Sequence, residues 1–142
     1  MKKNFMKISE LEKIRSTAER LKLNGRRLLD DTALCLRECN GIGAKWMGPL
    51  CKLLTWLFPL LLVASAIHDI RYLIGGGWQD REAADREFYK NCLILVDDAY
   101  TAWNPMRCLC RRAARHFYYV LRAGGFAAWN SNRKKRGNND YS

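Results

Sequence analysis

The chain contains one stretch in which side chains suited to acid–base chemistry lie close together. His68, one of only two histidines among 142 residues, is followed by Asp69, Tyr72 and Asp85. An imidazole gains and loses a proton near neutral pH, and a carboxylate bonded to it fixes its tautomer and stabilises its charged form. His68 with a nearby carboxylate is therefore a candidate general base.

Two helix-compatible segments carry these residues and meet at the glycines of positions 75–77. If helices span residues 60–74 and 80–93, His68 lies six residues before the end of the first and Asp85 five residues after the start of the second. At about 1.5 Å per residue these offsets are roughly 9 and 7.5 Å, so an antiparallel pair sets both side chains at one level. We expect His68 and Asp85 to be in contact.

The same stretch resembles the phospholipase A2 superfamily, over residues 39–43 and 59–93. The motifs that carry the resemblance are His68-Asp69-x-x-Tyr72 on one helix, a glycine turn, and Ala84-Asp85-x-x-Phe88 with Cys92-Leu93 on the next. Upstream, Gly41-Ile42-Gly43 is similar to the calcium loop of that family. The resemblance implies an antiparallel catalytic helix pair with additional helices at the N- and C-terminal ends.

The resemblance also implies a role for each matched residue. His68 would take a proton from a water molecule, which then attacks the sn-2 ester of a glycerophospholipid. Asp85 would hold the other ring nitrogen, and Tyr72 would hydrogen-bond into this dyad. Asp69 would bind Ca²⁺ through its carboxylate, and the remaining ligands would be the backbone carbonyls of Cys39, Gly41 and Gly43. Ca²⁺ takes six to eight oxygen ligands, and a bound cation stabilises a developing oxyanion.

Cysteine usage departs from that of the secreted members of the family. Those enzymes carry a cysteine pair shortly before the histidine, where this chain has Ala64 and Ser65, and the cysteine after the aspartate is also missing. Met1-Lys2-Lys3 is followed by charged residues and not by an apolar signal region. We therefore expect no secretory signal, free thiols, and synthesis in the cytoplasm with delivery to membranes or packaging in a particle.

Composition favours an all-α fold. Leu, Ala and Arg are abundant, Val and Thr are scarce, and only three prolines occur. We predict one helical domain over residues 1–130, with a catalytic-type core at 39–103, and a basic polar tail at 131–142. In the last long helix, near 106–123, the apolar stripe predicted to be buried comprises Met106, Leu109, Ala113, Phe117, Val120 and Leu121.

The net charge of +11, from 25 basic and 14 acidic residues, predicts polyanionic partners. The partner that fits the resemblance is an anionic phospholipid surface, and nucleic acid is not excluded. The amphipathic N-terminal helix near 8–23 and the basic tail are candidate contacts to a larger protein assembly. Candidates for an apolar rim around a lipid slot are Trp46, Trp56, Phe58 and Trp78, of which Trp56 and Phe58 fit the core equally well.

Two further functional classes fit the sequence. One is a non-catalytic structural or interaction protein that keeps a phospholipase A2-like fold, for example a subunit of a viral or secretion-type assembly. The other is a small membrane protein anchored by residues 46–67, whose only charge is Lys52. Against an anchor, Pro49 and Pro59 interrupt the apolar run.

Overall fold

The computed structural model describes residues 6–39 and 58–139, with side chains described as far as residue 132. In these ranges the fold is all-α and contains no strand, as composition predicts. The α-helices of the described ranges are α1 (Ile8–Arg20), α2 (Thr32–Glu38), α3 (Leu62–Ile74), α4 (Trp78–Ala99), α5 (Pro105–Gly124) and α6 (Phe126–Asn139). The predicted loop residues Gly41 and Gly43, and positions 46–57 of the apolar run, lie outside the described residues.

Helices α3 and α4 form the centre of the fold and are joined by the predicted glycine turn. Helix α3 continues from a 3-10 turn that begins at Pro59. The helix ends before Gly75, which has φ 67°. Gly76 has φ 133°, a conformation that side chains rarely allow. Helix α4 then begins at Trp78, and the Asp80 carboxylate accepts a 2.7 Å hydrogen bond from the Gly77 amide. The turn therefore reverses the chain within three residues.

The N-terminal segment packs on this pair. Three apolar residues of α1 are buried, and they are Leu11, Ile14 and Ala18. A 3-10 turn at Arg26–Asp30 follows, and the Arg15 guanidinium binds its carbonyls at Leu29 and Asp30. The buried side chain of Asn91 on α4 exchanges hydrogen bonds of 3.0 and 2.9 Å with the backbone of Asn24. These hydrogen bonds attach the chain between α1 and the 3-10 turn to the middle of α4.

Helix α5 packs along α4 through a face that matches its predicted apolar stripe only in part. Met106, Leu109 and Val120 are 40%, 51% and 43% exposed, so their predicted burial is wrong. Phe117 and Leu121 of the predicted stripe are partly buried against the core, and the most deeply buried residues of α5 are Cys110 and Ala114. Their short side chains let the two helices approach closely.

Two ion pairs lie at the edge of the contact between α4 and α5. Arg107 and Arg111 bind the carboxylate of Asp97 on α4, with N–O distances of 3.0 and 2.6 Å. These exposed ion pairs join α5 to α4 beside Cys110.

Helix α6 folds back onto α3. Trp129 is buried against the Tyr72 ring, with centroids 5.1 Å apart, and Asn132 donates to the Tyr72 carbonyl at 3.4 Å. The helix continues across residue 131, the position at which the sequence predicts the start of a polar tail. Within residues 6–39 and 58–139, no helix combines the length and the apolar character needed to cross a membrane.

Candidate active site

His68 and Asp85 are in direct contact across the α3–α4 pair. His68 Nε2 lies 2.9 Å from Asp85 Oδ1. His68 is six residues before the end of α3 and Asp85 seven residues after the start of α4, so both lie at nearly equal distances of about 9 and 10.5 Å from the glycine turn. The contact that the spacing predicts is therefore present, although α4 begins two residues earlier than expected.

The Asp85 carboxylate is fully buried and has three side-chain partners. Tyr72 donates its hydroxyl to Oδ1 at 2.7 Å, and Arg122 Nη1 donates to Oδ2 at 3.1 Å, in addition to the contact with His68. Burial alone raises the pKa of Asp85, but the hydrogen bonds from His68, Tyr72 and Arg122 outweigh burial and hold the pKa below its usual value. The carboxylate is therefore ionised at neutral pH.

The ionised carboxylate determines the tautomer of the neutral imidazole. A carboxylate can only accept hydrogen bonds, so Nε2 of His68 carries the hydrogen and Nδ1 carries the free electron pair. The rings of Tyr72 and Phe88 flank the imidazole, at centroid distances of 4.2 and 5.2 Å. His68 is 7% exposed, and this packing fixes the direction of Nδ1. The arrangement can accept a proton at Nδ1 and stabilise the resulting charge at Nε2.

Tyr72 is held in position by the ends of α5 and α6. Burial, together with the neighbouring charge of Asp85, raises the pKa of the Tyr72 hydroxyl, which therefore remains a donor. Gly125, between α5 and α6, leaves room for this hydroxyl, since a Cβ there would lie 2.6 Å from the hydroxyl oxygen and 2.6 Å from the Leu121 carbonyl. The helix predicted near 106–123 ends at Gly124 in the structure, but the sequence does not predict this close approach of Gly125 to Tyr72.

Two arginines complete the site, and sequence reasoning does not find either. One is Arg122, which binds Asp85. The other is Arg81, which is fully buried and whose Nη2 donates to the carbonyls of Leu121 and Arg122 at 2.7 and 3.0 Å. Among the residues that the structure describes, Arg81 Nε and Nη1 have no hydrogen-bond partner. Arg81 lies one helical turn before Asp85 on the same face of α4, so the position four residues before Asp85 is the sequence signal that could have located it. No comparable signal marks Arg122, which comes from a separate helix.

The predicted calcium ligands are only partly within the described residues. Asp69 is half-buried on α3, beside His68. Cys39 follows the end of α2, and its thiol lies 3.6 Å from the Ala66 carbonyl, two residues before His68. Hydrogen bonding with Cys35, burial, and the nearby charge of Asp69 together raise the pKa of the Cys39 thiol. The beginning of the predicted loop therefore lies close to Asp69, which is compatible with a shared oxygen-ligand site.

The described residues contain no group of three or more His, Cys, Asp or Glu side chains that could hold a metal ion. The predicted calcium site has only one side-chain ligand, Asp69, because its other ligands are backbone carbonyls. Each of the five cysteines in the described ranges is a free thiol.

Comparisons with protein families, with curated proteins and with solved structures give no match to this chain. The geometry around His68 is therefore the basis for assigning a function to the chain.

Proposed function

We propose that this protein is a calcium-dependent, phospholipase A2-like hydrolase that cleaves the sn-2 ester of glycerophospholipids. The observation that carries the proposal is the bonded network in which His68 and Tyr72 share Asp85 Oδ1. A buried, ionised carboxylate that orients a histidine is the arrangement that a water-activating base requires.

The chemistry follows from the two ring nitrogens of His68. Nδ1 removes a proton from water as the water oxygen bonds to the sn-2 carbonyl carbon, and Asp85 stabilises the imidazolium through Nε2. The imidazolium then returns its proton to the glycerol oxygen as the ester C–O bond breaks. The products are a fatty acid and a lysophospholipid, and no covalent enzyme intermediate is needed.

The Asp69 carboxylate and the carbonyls of Cys39, Gly41 and Gly43 would hold Ca²⁺. A bound calcium ion would polarise the ester carbonyl and stabilise the oxyanion. Oxygen donors suit this hard cation, and the nearby Cys39 thiol stays protonated because its pKa is raised.

Aromatic exposure beside the dyad supports a lipid substrate. Trp78 and Phe126 are 53% and 51% exposed, and their rings are in edge contact at 5.7 Å. The guanidinium of Arg122, which binds Asp85, lies 5.9 Å from the Trp78 ring. An exposed aromatic pair next to the site, on a chain of charge +11, suits adsorption to an anionic phospholipid surface.

One observation favours the alternative of a non-catalytic structural or interaction protein. Arg122 donates a hydrogen bond to Oδ2 of Asp85, and His68 is only 7% exposed. The same network therefore also serves as a buried structural contact. In this alternative the fold is kept to hold α3, α4 and α5 together within a larger assembly.

The two candidates are separated by an assay on the purified full chain. Vesicles with a labelled sn-2 acyl chain are incubated with the protein in Ca²⁺ or in chelator, and released fatty acid is measured. The proposal expects release in Ca²⁺ that is lost with chelator and in His68→Gln. His116→Gln is the matched control, because His116 is the other histidine and lies exposed on α5. Equal release by wild type and His68→Gln would exclude the proposed base.

A further inference from the structure

A second candidate site lies between α4 and α5, away from His68. It is a cavity of about 480 Å³ whose lining includes four arginines of α5 and Tyr89 of α4, the arginines being Arg107, Arg111, Arg112 and Arg115. Helix α5 itself contains no acidic residue. The cavity is therefore strongly basic, and the proposed hydrolysis makes no use of it.

The positive charge of this cavity is only partly balanced. Asp97 binds Arg107 at 3.0 Å and Arg111 at 2.6 and 2.9 Å, so one carboxylate serves two guanidinium groups. Within residues 6–39 and 58–139, neither Arg112 nor Arg115 forms an ion pair with a carboxylate. In the described part of the chain, the four arginines of the cavity are therefore paired with a single carboxylate, that of Asp97.

We infer that this cavity binds a multiply charged phosphate group, such as a phosphomonoester or a pyrophosphate. A guanidinium offers parallel N–H donors that match phosphate oxygens, and several arginines around one concave site match a dianion better than a single charge. Asp97 fixes Arg107 and Arg111 before any ligand arrives, which reduces the entropy lost on binding. Arg112 and Arg115 supply the uncompensated charge.

The position of the cavity distinguishes it from the site that would hold the reacting ester. Arg115 lies seven residues before Arg122, about 10.5 Å along α5, and Tyr89 lies four residues after Asp85, about 6 Å along α4. The phosphate group in the cavity comes either from a soluble compound or from the headgroup of a lipid at the surface. The inference does not require hydrolysis at His68.

The test measures binding of inorganic pyrophosphate to the purified full chain by calorimetry. Wild type should bind, and Arg112→Gln/Arg115→Gln should bind about tenfold or more weakly, because charge-assisted hydrogen bonds are lost. Arg27→Gln/Arg37→Gln is the matched control, since it removes the same charge from exposed positions elsewhere. Equal weakening in the control would overturn the inference, since net charge alone would then explain binding.

Vesicle binding distinguishes the two sources of the phosphate. Phosphatidylcholine vesicles carry either phosphatidate, a phosphomonoester, or phosphatidylglycerol, a phosphodiester, at equal total charge. Preference for phosphatidate that is lost in Arg112→Gln/Arg115→Gln supports a lipid headgroup, whereas pyrophosphate binding without this preference supports a soluble ligand. The absence of both overturns the inference.

The exposed thiol of Cys108, which also lines the cavity, gives a second readout in the unmutated protein. Pyrophosphate should slow alkylation of Cys108 in wild type, measured by mass spectrometry of its peptide. It should leave the rate unchanged in Arg112→Gln/Arg115→Gln. Unslowed alkylation in wild type at saturating pyrophosphate would place the anion elsewhere and would contradict the inference.

Discussion

Arg122 Nη1 lies 3.1 Å from Asp85 Oδ2, so the oxygen opposite the one that His68 contacts is held by a cation. Asp85 is fully buried, and the Arg122 side chain is 24% exposed. The positive charge of Arg122 helps to keep the buried carboxylate ionised, and the ionised carboxylate in turn orients the imidazole. Helix α5, which carries Arg122, therefore acts on His68 through Asp85.

Replacing Arg122 tests this connection. Arg122→Gln should lower the free energy of unfolding by about 1–3 kcal/mol, because a buried carboxylate loses a charged donor. The measurement is urea unfolding at pH 7. Arg86→Gln is the matched control, because Arg86 is also on the surface of a helix and binds Glu82 with its own side chain 64% exposed. It should cost less than about 1 kcal/mol. Equal losses in the two variants would contradict a special role for Arg122.

The lowered pKa of Asp85 predicts a pH dependence of stability. A carboxyl group whose pKa is lower in the folded state than its unfolded value of about 3.9 stabilises the fold above that pH. This stabilisation is lost as the pH falls through the folded-state pKa. Asp85→Asn should therefore be less stable than wild type by about 3 kcal/mol at pH 7, with a smaller difference below about pH 4.

The comparison requires unfolding curves of both proteins at several pH values. Asp30→Asn serves as control, because Asp30 is exposed at the end of a 3-10 turn. A difference between wild type and Asp85→Asn that stays constant from pH 7 to pH 3 would show that ionisation of Asp85 does not stabilise the fold.

The sequence predicts the His68–Asp85 contact because both residues lie on adjacent helices joined by a short turn. The distance of each residue from the glycine turn along its own helix axis is sufficient to place the two at the same level. The turn also explains why an error of two residues in the start of α4 changes the expected offset by only about 3 Å.

Contacts that depend on α5 are not predictable in this way. Leu109 and Ala113 of the predicted stripe lie one position before Cys110 and Ala114, and helical periodicity does not choose between two faces that are so close together. The choice depends on how α5 packs against α4, which the pattern of α5 alone does not contain. The contact of Arg122 with Asp85 has the same origin, since it exists only once α5 is packed with its small residues inward.

Gly125 should be intolerant of any side chain, for a reason local to the site. Gly125→Ala places a Cβ 2.6 Å from the Tyr72 hydroxyl and from the Leu121 carbonyl, so the hydroxyl must move away from Asp85. We expect a loss of about 1–3 kcal/mol in the free energy of unfolding, the usual cost of overpacking. Gly77→Ala is the control, because the nearest atom to a Cβ there is 3.7 Å away and φ is −79°. A variant Gly125→Ala as stable as Gly77→Ala would show that Tyr72 has freedom to move.

Calcium binding by Asp69 can be tested without any measurement of activity. If Asp69 and the carbonyls of Cys39, Gly41 and Gly43 bind Ca²⁺ in the folded state, the ion should raise the melting temperature of wild type. Ligand at 100 times its dissociation constant stabilises a fold by about 2.7 kcal/mol. Asp69→Asn removes the only charged ligand of the proposed set and should abolish the increase.

Two controls make this calcium experiment specific. Asp98 is an exposed residue at the end of α4 farthest from the glycine turn, and its carboxylate binds Arg20. The melting temperature of Asp98→Asn should still rise with Ca²⁺. Mg²⁺ should raise the melting temperature of wild type less, because it demands a smaller and more regular ligand shell than backbone carbonyls supply. If Ca²⁺ stabilises Asp69→Asn as much as wild type, the ion binds elsewhere and Asp69 has no part in holding it.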